Sequence, residues 1–380
     1  MNICDLKNCT GCFACMNICP AGAISVLLDD SFKTVPQIDK DKCISCGLCQ
    51  KICPEINPVK GHSPKLCFAA WTKDDRDRQE CSSGGIAAGF SEYMLSVGGV
   101  VFGAGYGENA EIKHICADSA EKLNQLKGSK YVQSDIGFSY RKAKEYLEQD
   151  TPVLFTGTPC QIAGLYAYLQ KDYDKLVTVE LICHGTPAQK FLTDYLDEID
   201  AAKNRTKVTF RGKHDFQLTV FDHDKIIYQK PRETDLYYQA FYQRLSLRNN
   251  CFLCRYANKE NRPADIIIGD FWGLDRETLK NKYPGKISAV LINTDKGLAF
   301  WKKNDFIYEP RNVEEAIRGN SALSHPHPYP KEWKDFLNFY RELGFSRAVK
   351  KTSAAGLIKK NKYIMRKNKI KQVIKGLLGR

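Results

Sequence analysis

The chain has 380 residues, 43% apolar and 27% charged, enough for two or three domains with real cores, which excludes a disordered or collagen-like polymer. Its formal charge of +13 lies almost wholly in the tail: Arg347 to Arg380 holds 12 Lys and Arg and no acid, while the first 346 residues hold 45 basic and 44 acidic side chains, so a nucleic-acid footprint is excluded for the body. No run approaches 18 apolar residues, and the start lacks the basic and apolar pattern of a signal peptide, so a cytoplasmic chain without a membrane span is expected.

In a reduced compartment the 16 cysteines read as metal ligands or reactive groups rather than disulfides. Cys9, Cys12, Cys15 and Cys19 recur as Cys43, Cys46, Cys49 and Cys53, displaced by 34 residues, and each set ends in Cys-Pro. This doubled C-x-x-C-x-x-C-x-x-x-C-P is the bacterial two-cluster ferredoxin pattern, in which the fourth cysteine of each run ligates the other cluster. One 4Fe-4S cluster should therefore take Cys9, Cys12, Cys15 and Cys53, and the other Cys43, Cys46, Cys49 and Cys19. Two zinc sites fit such triplets poorly, because zinc favours four ligands in two separated pairs.

Residues 1–60 thus form a ferredoxin-type domain, and NPVKGHSP at 57–64 reads as the linker out of it. Beyond it, β-type runs at 99–106, 152–157, 176–183 and 264–270 alternate with helical patterns at 86–97, 138–149, 160–170, 187–200 and 234–247. The fold expected is α/β or α+β with a mixed sheet, since 206–230 reads as short antiparallel strands. A division into 65–150 and 151–330 is expected, followed by a helical basic tail over 331–380.

Eight cysteines remain. Cys251 and Cys254 form C-x-x-C, and Cys160 and Cys183 each follow a predicted strand, where parallel sheets place functional loops. On spacing alone these four could form a third cluster, a zinc site, a redox pair or buried free thiols. Cys4, Cys67, Cys81 and Cys116 read as apolar fillers, with Cys81 doubtful beside Ser82-Ser83-Gly84-Gly85. That run precedes a helix, where exposed N–H groups can face an anion. Gly128-Ser129-Lys130-Tyr131 and Gly157-Thr158-Pro159 are further small-residue loops, each a weak signal by itself. Proton-donor candidates are His184, Lys213, His214 and Asp270. His325 and His327, between prolines, read as a stiff exposed loop.

CSSGG (81–85), GSKYVQSD (128–135), VLFTGTPCQIAGL (153–165), LICHGTP (181–187), CFLCRYA (251–257) and DIIIGDFWG (265–273), in this order behind a two-cluster ferredoxin unit, resemble the coenzyme F420 hydrogenase/dehydrogenase beta-subunit family over about residues 3–320. The resemblance implies a flavin-binding region with FAD held by Ser82, Ser83, Gly84, Gly85, Ser129, Lys130, Tyr131 and Gln133, with Gly157 and Thr158 nearby. It also implies a third 4Fe-4S cluster on Cys160, Cys183, Cys251 and Cys254. The expected function is an iron-sulfur flavoprotein oxidoreductase acting on an organic substrate, with ferredoxin or another one-electron donor as partner. The alternatives are an electron-transfer subunit of a larger complex, or a surface-binding protein with structural clusters.

The tail carries apolar residues at near-helical spacing with lysines between them, so 354–378 is expected to be a basic amphipathic helix. It could lie on an anionic membrane surface, at the inner face of the membrane, or dock on the protein body. Nucleic acid comes third.

Overall fold

The computed structural model describes the chain except residues 1–2, 75–77, 79–80, 200–203, 213–215, 284 and 378–380, with backbone alone at 374–377. Lys213 and His214 therefore lie outside the described residues. In the N-terminal unit each cysteine loop runs into a short helix, Ala14–Ile18 or Leu48–Lys51, and the strands β1 (Ile24–Leu28) and β2 (Thr34–Ile38) pair antiparallel between them. The repeat is visible in the backbone. Gly11 and its counterpart Ser45 are both left-handed (φ 62° and 55°), and so are Phe13 and its counterpart Gly47 (φ 54° and 72°). At Gly11 the glycine is required twice over, since a Cβ would also meet the Thr34 carbonyl oxygen at 2.9 Å.

The remaining strands are β3 (Leu66–Thr72), β4 (Val100–Tyr106), β5 (Ile112–Ala117), β6 (Val153–Gly157), β7 (Leu176–Leu181), β8 (Lys207–Arg211), β9 (Phe216–Asp222), β10 (Lys225–Pro231), β11 (Ile266–Asp270), β12 (Ser288–Ile292) and β13 (Phe306–Arg311). Eight of them form one mixed sheet in the order β13-β3-β12-β11-β7-β6-β4-β5. Strand pairings make β3, β11, β7, β6 and β4 co-directional, while β12, β13 and β5 run against them. The central strands are apolar along their length because both sheet faces are covered: Phe90, Phe300 and Trp301 pack on one, Tyr140, Ile162 and Leu165 on another part of the core. β4, before residue 150, pairs with β6 after it, so 65–150 and 151–330 share a single sheet.

The stretch expected to be antiparallel forms a second sheet, β10-β9-β8. It packs with the helix Trp333–Leu343 through a core containing Phe191, Phe210, Tyr237 and Phe336. The linker is docked, not loose: His62 and Arg262 exchange backbone hydrogen bonds of 2.9 and 3.0 Å. Arg262 itself is buried and pairs with buried Glu180 at 2.5 Å.

The tail is a helix over Ala354–Leu377. Ala354 and Ile358 are buried, and Asn361 donates to the Glu233 carbonyl at 2.9 Å. From 362 to 373 every residue is exposed, with Ile364, Met365, Ile370 and Val373 interspersed among lysines. A one-sided apolar stripe along the whole helix, as expected from sequence, is absent over its described length: the docked face near Ile358 and the residues near Ile370 point different ways round the axis.

Candidate functional site

Cys9, Cys12, Cys15 and Cys53 converge on a cavity of about 20 Å³ in the N-terminal unit. Burial raises the Cys12 and Cys15 thiols, and the charges of Cys9 and Cys53 add to it. Cys4 was expected to be a mere filler; instead its thiol hydrogen-bonds Cys9 and Cys53 and lines the same cavity, which pulls the Cys53 thiol down to about 7. In the second set, burial raises Cys49, with Cys19 and Cys46 as charged neighbours, while Cys43 is half-buried and Cys46 exposed. The Ala23 N–H donates to Cys19 Sγ at 3.3 Å, the kind of bond that tunes a ligating sulfur.

The third set assembles from two strand ends and a 3-10 turn. Thr158 caps the helix Pro159–Leu169 in a capping box with Gln161, which fixes Cys160 in the first turn, its Sγ 3.2 Å from Thr158 Oγ1. Cys183 follows β7, and Cys251 and Cys254 lie on the 3-10 turn Asn249–Leu253 and its cap. The four thiols are electrostatic neighbours: burial raises Cys160, Cys183 and Cys254, and other members of the set push further in the same direction. Among the described residues no three His, Cys, Asp or Glu side chains close up around a single ion.

Arg248 decides what these cysteines suit. It is 3% exposed, donates to the Thr10 carbonyl from Nη1 at 2.6 Å and to Thr186 Oγ1 from Nε at 3.2 Å, and has the thiols of Cys160, Cys183 and Cys251 as electrostatic neighbours. A buried guanidinium needs negative charge close by, and four thiolates around an iron-sulfur cluster would supply it. Cys12 meanwhile packs on the same helix as Cys160: a Cβ on Gly164 would lie 2.9 Å from Cys12 Cβ and 3.2 Å from its Sγ. The first and third cysteine sets are thus separated by little more than one helix face.

At the carboxyl ends of the co-directional strands, where open α/β sheets bind ligands, lies a cavity of about 720 Å³. Ser82, Ser83, Gly85, Ser129, Lys130, Tyr131, Gly157 and Thr158 line it, as do Cys183, His184 and Asp270. Its loops are stitched together: the Ser129 N–H donates to Ser82 Oγ at 2.6 Å, and Ser288 Oγ donates to Ser83 Oγ at 3.0 Å. This volume and this mixture of small, polar and aromatic walls fit a cofactor-sized ligand.

Three of the expected cofactor residues do something else. Lys130 Nζ spends its donors on the carbonyls of Gln125, Leu126 and Lys127 at 2.9–3.0 Å, closing the end of a helix, and burial lowers its pKa to about 7, so it is no phosphate grip. Gln133 points away from the cavity and donates to the carbonyls of Thr10 and Gly11 in the first cysteine loop. Gly84 is packed against the Ala70 carbonyl, which a Cβ would meet at 2.4 Å.

Asp270 is tied to Arg211, which also donates to Tyr131 Oη at 2.8 Å and stacks over Phe216. His327, expected on an exposed loop, is half-buried in the cavity wall, its Nε2 3.4 Å from His184 Nδ1. Nothing in its Pro-rich neighbourhood signalled this, because its partner lies 143 residues away.

Residues 8–56 match the model of the 4Fe-4S dicluster domain, and residues 150–310 match that of the C terminus of the coenzyme F420 hydrogenase/dehydrogenase beta subunit. The two matches lie in tandem, the first over the doubled cysteine run and the second over the strands and loops that carry Cys160, Cys183, Cys251 and Cys254. It is 24% identical over 188 residues to a protein named as a subunit of the F(420)H(2) dehydrogenase of Methanosarcina mazei, covering 46% of this chain and about half (53%) of that relative. An uncharacterized protein of Methanocaldococcus jannaschii is 22% identical over 82% of this chain and 92% of its own length. A chain from the F420-reducing [NiFe] hydrogenase complex of Methanosarcina barkeri has 20% identity and a TM-score of 0.47, covering 80% of this chain and 92% of that one. The two matched segments are thus of 4Fe-4S dicluster type and of F420 hydrogenase/dehydrogenase beta-subunit type, and the chain spans about half the length of the Methanosarcina mazei relative.

Proposed function

We propose that the chain is an iron-sulfur flavoprotein that exchanges electrons between its ferredoxin unit and an organic substrate bound in the large cavity. The observation that carries this reading is the position of the third cysteine set: Cys160 neighbours Cys12 across one helix, and Cys183 stands in the cavity wall. When bound, 4Fe-4S clusters supply single-electron transfer and FAD converts single electrons into pairs.

The twelve cysteines named would hold three clusters, and the Ser82–Gly85, Gly128–Tyr131 and Gly157–Thr158 segments would hold FAD. Arg248 neutralises the third set and ties it to the first loop. Tyr131, stacked on Phe241 at 5.1 Å, gives the cavity a flat aromatic wall. His184 is the side chain best placed to hold a proton at the cavity, through Nδ1 or Nε2; the Arg211–Asp270 pair shapes the wall instead. Anaerobic purification with iron, sulfide and flavin analysis tests the reading: about twelve irons and one FAD per chain are expected from three four-cysteine sets. Full iron without flavin, and no spectral change on adding FAD, rejects it.

A second reading makes the chain the electron-transfer subunit of a larger assembly. It is favoured by the outer cysteine set, where Cys46 is exposed and Ile44 is 65% exposed, as a surface meant for a protein partner would be. The name of the Methanosarcina mazei relative, a dehydrogenase subunit, points the same way. An attachment of the tail to anionic membrane is a further part of this proposal; among the described residues no helix is long and apolar enough to cross a membrane.

A further inference from the structure

The cations of the cavity wall are mostly committed. Arg211 is paired with Asp270, Arg232 with Glu233 at 2.7 Å, and Lys130 with three carbonyls. Arg244 differs. It lines the same cavity, half-buried, and among the described residues its guanidinium has no hydrogen bond or ion pair. Its backbone is left-handed, φ 61°, a conformation costly for a residue with a Cβ, and it is held there by turn hydrogen bonds from Arg244 N to Phe241 O and from Leu245 N to Ala240 O, each 2.9 Å.

The groups that feel this charge are His184 and His327, whose rings stack with centroids 5.6 Å apart. His184 Nδ1 and His327 Nε2 lie 3.4 Å apart, so between two neutral rings one N–H is shared within the pair and one is left to face the cavity. Asp270, which also faces His184, is held by Arg211. An unpaired guanidinium fork lining the same cavity as a stacked imidazole pair, with the nearby Asp270 already held by Arg211, is a receptor for an oxyanion.

We propose that Arg244, His184 and His327 form a subsite for a carboxylate or phosphate group of the organic substrate, at the end of the cavity beside Cys183. The inference rests on the reading of the cavity as a substrate site and adds the class of substrate: an organic anion. The phosphates of a bound FAD are the other source of such chemistry. Of the loops assigned to FAD, Ser82–Gly85 follows β3, three strands along the sheet from β7 and roughly 14 Å away at the usual strand spacing, while Gly157–Thr158 follows the neighbouring β6, so loading with FAD is the arm that separates the two sources.

The test is calorimetric titration of the full, cluster-loaded chain with inorganic phosphate and with malonate, before and after saturation with FAD, in the wild type, Arg244→Gln, His327→Asn and Arg232→Gln. Expected is binding of at least one anion that survives FAD loading, weakens at least tenfold in Arg244→Gln and more modestly in His327→Asn, and stays unchanged in Arg232→Gln. Arg244→Gln should also retain flavin at the wild-type level. Equal binding by wild type and Arg244→Gln, or no binding of either anion, overturns the proposal. Anion binding abolished by FAD, together with flavin loss in Arg244→Gln, also overturns it by assigning the corner to the cofactor. Should the chain take up no FAD at all, the flavin reading fails alone, and the Arg244 comparison still decides the anion subsite.

Discussion

Arg248 Nη1 donates to the Thr10 carbonyl oxygen at 2.6 Å, joining residues 238 positions apart and placing one buried positive charge between the first cysteine loop and the third cysteine set. Removing that charge makes the addition of an electron to a neighbouring anionic cluster less favourable. For Arg248→Met the reduction potential assigned to the third set should therefore become more negative, by on the order of 100 mV for a charge about 6 Å away at an effective dielectric near 20. EPR-monitored redox titration of the variant against the wild type reads the shift. An unchanged potential with intact clusters would show that the guanidinium is only a structural tie.

Gly164 lies mid-helix, where glycine is unfavourable by about 1 kcal/mol relative to alanine. Here the helix preference should be overridden, because an added methyl would sit 2.7 Å from Tyr140 Oη and 2.9 Å from Cys12 Cβ. Gly164→Ala is expected to lose about 1–3 kcal/mol by overpacking. Stopped-flow reduction by a one-electron donor should show slower electron arrival at the inner cysteine set, with the outer set reduced at the normal rate. A variant as stable and as fast as the wild type contradicts the close packing of Cys12 on this helix.

His114 is 7% exposed, with Nδ1 2.8 Å from Ser134 Oγ and Nε2 2.9 Å from the Thr156 carbonyl. Burial lowers its pKa from 6.5 to about 4. The unfolded chain therefore binds this proton first as pH falls: the site is neutral to stability above about 6.5, and stability is lost progressively between about 6.5 and 4, up to about 3 kcal/mol in all. His114→Gln should lower stability at pH 7 but flatten that acid limb. Denaturant melts of the two proteins at pH 7 and 5 give the comparison; parallel losses would remove His114 as the cause.

The tail separates at Asn361. Phe345, Ala348, Val349, Ala354 and Ile358 are buried, so a chain ending after Asn361 should keep its melting temperature, whereas one ending at Ser346 should not. Residues 362–373 are exposed and carry Lys362, Arg366, Lys367, Lys369 and Lys371. Full-length protein should co-sediment with anionic vesicles at low salt and the Asn361-truncated chain should not; neutral vesicles should retain neither. Equal retention of both chains by anionic vesicles would place the attraction elsewhere.

The sequence carried what local spacing encodes. The doubled cysteine run of residues 9–53, the antiparallel stretch at 206–230 and the helical extent of the tail follow from motifs and periodicities contained within short windows, whereas Cys160, Cys183, Cys251 and Cys254 are assigned to one cluster only by the family resemblance. The roles of Gln133, His327, Arg244 and Arg248 were not legible, because each depends on partners brought together only by the sheet. Lys130 misled for the opposite reason: a lysine in a glycine-serine loop suggests a phosphate, but its own preceding helix supplies three carbonyls within five residues. In the tail, apolar residues counted without their angular positions merged two different helix faces into one stripe.

The buried Arg248 also bears on how the protein is assembled. If the third set holds a cluster as proposed, the cluster's negative charge would balance a guanidinium that is shut away from water and whose hydrogen bonds run to the oxygens of Thr10 and Thr186. The first cysteine loop reaches the body through that same arginine and through Gln133. On the proposed reading, filling the third set would then tighten the seat of the first cysteine loop, while Arg141 and Arg255, which donate to the carbonyls of Asn17, Cys19 and Pro54, would hold the rest of the N-terminal unit on the body whether or not iron has arrived.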